Sequence, residues 1–156
     1  MVLHVGVTLR YPKSRQPDVE VVDDVPNFFY WTHTPDGLGQ AQLEKGINRM
    51  RDVESPDGPR CPAVLISSSR HKMGSAVTPW HDSFDMEGGR VRYFGDAKFE
   101  HMPAPHDVEG NKAMMRLFEQ HRSPLREVRA HAPPLVFFER PEKKGYVTFR
   151  GFGVIE

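Results

Sequence analysis

Apolar positions along this chain come in short runs broken by turn residues. Val2 to Leu9 alternates loosely and predicts a first strand, closed by a turn at Tyr11-Pro12. The acidic stretch Pro17 to Asp24 predicts an exposed linker or edge. Pro26-Asn-Phe-Phe-Tyr-Trp31 is an aromatic run that predicts a strand entering a loop at His33, Pro35 and Asp36-Gly37. Trp31 and His33 then belong either to the core or to a pocket wall. Leu43, Ile47, Met50 and Val53 fall on one helical face, so Gln40 to Val53 predicts a modest helix weakened by Gly46. After the Pro/Gly loop Ser55 to Pro62, the fully apolar Ala63-Val-Leu-Ile66 predicts a central strand. It runs into Ser67-Ser-Ser-Arg-His-Lys72, Gly74 and Ser75, a small-residue basic loop whose hydroxyls, N–H groups and cations suit a phosphate.

In the second half, strands are predicted near Trp80–Phe84 and Arg90–Gly95, joined through Glu87-Gly88-Gly89, with a loop from Phe99 to Pro105. Asp107 is placed to cap a helix from Val108 to about His121, with Met114, Met115, Leu117 and Phe118 as its core face. Pro133 to Glu139 predicts another strand, and Gly145 to Glu156 a long final strand or hairpin partner. About seven short strands with two helices predict an α+β fold, built on a strongly curved mixed β-sheet or small β-barrel with about two flanking helices. Closing on a strand suggests a single domain, residues 1–156, excised from a longer protein.

Composition supports this picture and narrows it. A length of 156 residues suffices for one buried core, and 38% hydrophobic against 27% charged residues argues against wholesale disorder. The 14 Pro and 13 Gly fit many short elements. Net charge is formally zero, but residues 1–60 carry 7 Lys/Arg against 9 Asp/Glu and residues 61–156 carry 14 against 12. Local clusters at Arg70/His71/Lys72, Arg90/Arg92/Lys98 and Lys112 to Arg129 could gather on one face to track phosphates. The single Cys61 excludes an internal disulfide and fits a reducing cytoplasm. No window approaches the ~18 apolar residues of a membrane span, so no membrane partner is expected. The 8 His residues show no ligand-like grouping, and neither a metal nor a cofactor is expected.

Candidate chemistry concentrates between Thr78 and Lys98. A flipped nucleobase loses stacking worth a few kcal/mol, and its pocket must restack it and hydrogen-bond its edge. Trp80 and Tyr93 could supply the planes, and Asp82 or Asp85 the acceptor for an exocyclic amine. A competing pattern is an acid followed by Asp96-Ala97-Lys98, the form of a Mg²⁺-dependent nuclease built on Asp82 or Asp85, Asp96 and Lys98. Because Asp96 and Lys98 follow Gly95, they are expected to leave the strand for a rim touching DNA. A third reading is an RNA- or small-ligand-binding module using the same pocket.

Trp80-x-Asp82-x-x-Asp85, Gly88-Gly89 and Tyr93-x-Gly95 resemble the signature of SRA domains, the modified-cytosine readers. The flanking Pro62-Ala-Val-Leu-Ile, Pro134-Leu-Val-Phe-Phe and Gly145-Tyr-Val-Thr-Phe-Arg-Gly more specifically resemble the N-terminal recognition domain of AspBHI-like and McrA-like modification-dependent restriction endonucleases. This likeness covers residues 60–156. It implies a PUA-like barrel that binds modified duplex DNA, with 5-methylcytosine the first expectation, and flips the base. It also implies a C-terminal nuclease domain of the same protein, no catalytic residue in this chain, and leaves a homo-oligomer open. Tyr93 matches the stacking tyrosine, Asp82 the base-edge carboxylate and Trp80 the leading aromatic, with Asp85 a second carboxylate. Phe94 stands where the family has a hydroxyl residue. Backbone contacts are expected from Ser68, Arg70, Lys72, Lys98 and Lys112.

Overall fold

The apolar run at residues 63–66 extends further than its composition suggests, as strand β5 (Val64–Ser69), because its pairing continues through the serines. In the computed structural model, which describes residues 3–33, 41–69, 81–96 and 103–156, β5 pairs on both sides. One neighbour is β4 (Ile47–Arg49), antiparallel, with Ile47 opposite Ile66. The other is β8 (Leu135–Arg140), parallel, with Val64 opposite Leu135 and Ser69 opposite Arg140. β8 turns back into β9 (Tyr146–Gly153), and β9 pairs antiparallel with β1 (Thr8–Arg10). The sheet order is therefore β1-β9-β8-β5-β4. β5 and β8 are buried along almost their whole length, apolar in their first halves and polar at their ends, as befits a central parallel pair.

Two short ribbons flank this sheet: β2 (Val21–Val22) with β3 (Val25–Pro26), and β6 (Ser83–Asp85) with β7 (Arg90–Arg92). The helices are α1 (Phe28–Thr32), α2 (Glu109–His121) and α3 (Arg126–His131). The molecule is thus α+β with an open main sheet; among the described residues no sheet closes into a barrel. Phe28, Phe29, Leu9, Leu43, Ile66, Val147 and Phe149 are almost wholly buried and form the centre of the core.

Three local expectations are corrected. The aromatic run forms a strand only to Pro26 and then α1, because Asn27 caps the helix by accepting from Phe29 N at 3.1 Å. The helix gives Phe28 and Phe29 a common inward direction, and they stack edge-on at 5.4 Å. The helix expected over 40–53 is absent from its described part, 41–53, where Ile47–Arg49 instead take the sheet edge. Asp107 does not cap α2: it ends a 3₁₀ turn, Pro105–Asp107, and Val108 occupies the cap position with no side-chain bond. Strand expectations around β5, β8, β9 and the β6–β7 hairpin, and the helix α2, are met with shifted ends, whereas the strand expected over 2–9 is confined to Thr8–Arg10 because the chain turns at Gly6, whose φ is 92°.

Candidate functional site

Serines at the end of an apolar strand must find partners when buried. Ser68 is 2% exposed, and its Oγ donates to Asp82 Oδ2 at 2.8 Å. Asp82 lies just before β6 and is itself 6% exposed. Its Oδ1 accepts from the Phe94 backbone N at 3.0 Å, just beyond β7. One carboxylate therefore joins the central strand to both arms of the β6–β7 hairpin. Ionised acceptors make the stronger class of hydrogen bond, which offsets the cost of burying the charge. The Ser68 side chain, expected in a phosphate-binding loop, is inside the fold.

Beside it stands Tyr93. Its hydroxyl donates to Asp96 Oδ1 at 2.9 Å, and Asp96 Oδ2 accepts from Ile47 N at 3.3 Å on β4. Asp96 N donates to Asn111 Oδ1 at 3.0 Å, and Asn111 Nδ2 donates to Pro105 O at 2.8 Å. Tyr93 is thus tied to the sheet edge and to the first turn of α2. Burial pushes the Tyr93 hydroxyl's pKa far above the ordinary tyrosine value, and the negative charges of Asp96 and Asp82 add to the shift. The phenol stays protonated and remains a donor.

Two glycines make room for this arrangement. A Cβ on Gly46 would overlap the Tyr93 hydroxyl and Asp96 Oδ1. A Cβ on Gly110 would sit 2.5 Å from Asp96 Oδ2 and 2.9 Å from Ile47 Cβ. Gly46, a weak point in the expected helix, is in fact where β4's approach and Tyr93 meet. Its signal in the sequence lay in being a glycine inside a segment of apparent helical period. Asn111, one of 13 residues in a polar helix, carried no such signal.

The other expected site residues are distributed as follows. Asp85 is exposed and accepts from Gly88 N at 2.8 Å, closing the hairpin turn over its own backbone. Lys112, on α2, pairs with Glu109 at 3.1 Å. Trp80, Arg70, Lys72 and Lys98 lie outside the described residues. Asp96 is half-buried and committed to Tyr93 and Ile47 rather than placed on a rim, so the acid of the nuclease pattern serves as an internal acceptor. Among the described residues no group of three or more His, Cys, Asp or Glu is disposed to hold a metal ion. Trp31 Nε1 and His33 Nε2, on and beside α1, are buried and have no hydrogen-bond partner among the described residues.

The family model described as "Restriction endonuclease AspBHI N-terminal" matches residues 43–156, taking in β4 as well as the hairpin and α2. The solved MspJI restriction endonuclease in complex with a 27-mer oligonucleotide is similar over 97% of this chain, at 36% identity and a TM-score of 0.81. This chain spans only 36% of that one. The DNA recognition domain of the cytosine modification-dependent restriction endonuclease LpnPI is similar over 99% of this chain and 60% of its own, at 18% identity and a TM-score of 0.57. The DNA modification-dependent restriction endonuclease AspBHI is similar over 74% of this chain and 48% of its own, at 22% identity and a TM-score of 0.51. These last two are likenesses of fold. No curated protein matches the chain.

Proposed function

The chain belongs to the AspBHI N-terminal family of restriction endonuclease domains, and from that premise we propose that it binds modified duplex DNA and flips the modified base into a pocket walled by Tyr93 and Asp82. The carrying observation is the pair itself: a buried carboxylate held by Ser68 and Phe94 N, next to a tyrosine whose hydroxyl is held by Asp96. Both are oriented before any ligand arrives, which limits the ordering that binding requires. In this reading the Tyr93 ring supplies a stacking face and Trp80 the opposing one. Asp82 accepts from the exocyclic amine of a cytosine, since a carboxylate oxygen can accept more than one bond. Ser68 positions Asp82 from behind. Asp85 belongs to the turn.

Arg70, Lys72, Lys98 and Lys112 are the proposed phosphate contacts, which position the duplex without reading it. The finer features of the reading are a PUA-like architecture, 5-methylcytosine as the modification, and cleavage by a separate nuclease domain of a longer protein. Matched duplexes with and without 5-methylcytosine, titrated by fluorescence anisotropy at fixed salt, test the reading. Tighter binding of the modified duplex is expected, lost in Asp82→Asn; equal affinity for both would sink it. A 2-aminopurine beside the modified cytosine should brighten on binding if the base leaves the stack.

A further inference from the structure

At the far end of β4 and β5 from Asp82, the structure holds a cavity of about 390 Å³ between the 52–61 loop, α2 and α3. From Val64 to Ser68 along β5 the separation is roughly 13 Å, four residues at strand rise, so this cavity is distinct from the Tyr93–Asp82 site. Its lining carries three guanidiniums, Arg49, Arg60 and Arg116, with His131, against the carboxylates Asp52 and Asp57. Arg49 is paired with Asp52, and His131 Nε2 lies 3.8 Å from Asp57. Arg60 and Arg116 have no ion-pair partner among the described residues. Three arginines against two carboxylates leave the lining one formal positive charge in excess, with Arg60 and Arg116 as its two forked donors outside any ion pair of the described residues.

Both donors stand on fixed backbone. Arg60 closes a bridge with Val53, each N donating to the other's carbonyl at 2.9 Å. Inside that loop Gly58 N donates to Ser55 O at 2.9 Å, and Ser55 Oγ returns a bond to Gly58 O at 2.7 Å. Arg116 stands in the middle of the 13-residue helix α2. The volume equals that of about a dozen waters at ~30 Å³ each, ample for a tetrahedral oxyanion with part of its hydration. A planar guanidinium fork matches phosphate oxygens two at a time.

We propose that this cavity is a phosphate-binding site, with Arg60 and Arg116 as its ligand-contacting donors. The phosphate can come from the backbone of a bound duplex or from free phosphate in solution, and one experiment separates the two. This chain is titrated with sodium phosphate against sodium chloride at constant ionic strength, reading melting temperature and amide chemical shifts. The same is done for the Arg60→Gln/Arg116→Gln variant. Both arginines are exposed, and circular dichroism verifies that the variant folds.

Wild type is expected to show a saturable phosphate response at Arg60, Arg116 and their neighbours that the variant loses. Anisotropy with modified and unmodified duplexes then identifies the source. If the variant weakens both duplexes by a similar factor, about tenfold for two lost phosphate contacts, the ligand is a DNA phosphate. If duplex affinities stay unchanged while the phosphate response disappears, the ligand is free phosphate. The proposal is overturned if wild type shows no saturable response and the variant binds both duplexes as wild type does, or if the response persists in the variant. Because both duplexes carry phosphates, the outcome does not depend on whether the domain reads a modification.

Discussion

Tyr93 and Asp82 were legible in the sequence as residue types at a telling spacing, but the atoms that hold them were not. Nothing in the text of the chain pairs Ser68 with Asp82, or Asp96 with Tyr93; those bonds depend on how β5, the hairpin and α2 are laid together. They carry specific consequences. Because the Tyr93 hydroxyl is occupied by Asp96, its proposed service to a base is the ring. Tyr93→Phe should keep most discrimination between modified and unmodified duplexes, and Tyr93→Ala should lose it, both read by anisotropy. Tyr93→Phe should still cost about 1–3 kcal/mol in urea unfolding, since it removes a donor from a half-buried carboxylate. The raised Tyr93 pKa also sets a pH dependence. The unfolded phenol releases its proton near the ordinary value of about 10, whereas the folded one keeps it. Its contribution to stability is therefore complete below about pH 10 and falls as pH rises further. Melting temperature against pH should decline less steeply in Tyr93→Phe, and an equal decline would refute the linkage.

Secondary-structure elements divide by how far their identity depends on contacts distant in sequence. The buried runs of β5 and β8, the turn Glu87-Gly88-Gly89 and the polar–apolar alternation of α2 were legible because their pattern is local. The segments around Ile47 and Phe28 were not. The apolar residues near Ile47 match a helical period by coincidence, while the free edge of β5 claims the segment as a strand. Asn27 turns the aromatic run helical, and its Nδ2 also donates to Gln16 O at 2.7 Å and Val19 O at 2.9 Å. Asn27→Ala should therefore cost more than the ~1 kcal/mol of an ordinary cap, about 2 kcal/mol by denaturant unfolding, because the fully buried amide also ties the 16–19 loop carbonyls to the helix. Gly110→Ala offers a test with an unusual sign. Helix propensity alone would stabilise it by about 1 kcal/mol, but the new methyl meets Asp96 and Ile47, so calorimetry should register a lower melting temperature.

Across the whole molecule, the parallel pair β5–β8 is joined by the very segment that holds the hairpin, α2 and α3. The candidate site is thus largely an excursion between two neighbouring central strands, and its two ends are anchored in buried, paired backbone. The proposed phosphate contacts belong to this scale, since they act as a summed field. With four cations on the backbone, the logarithm of affinity should fall with the logarithm of salt at a slope of about −3 to −4 for modified and unmodified duplexes alike. Lys112→Ala should flatten that slope by about one unit for both. A change confined to the modified duplex would place Lys112 at the base instead.

The order of strands also bears on how the chain is made. β9 lies between β1 and β8, so Thr8 finds its partner Thr148 only after 140 further residues have been added. At ~5–20 residues per second, the first strand waits of the order of ten seconds on the ribosome. Until then β1 lacks its sheet partner, touching only Asn27 through a single bridge from Arg10, and β8 has one open side, two edges of the kind that recruit other chains. Any premature stop before Tyr146 makes that exposure permanent, so truncated products should be cleared or aggregate as a class, whatever the fate of the pocket they carry.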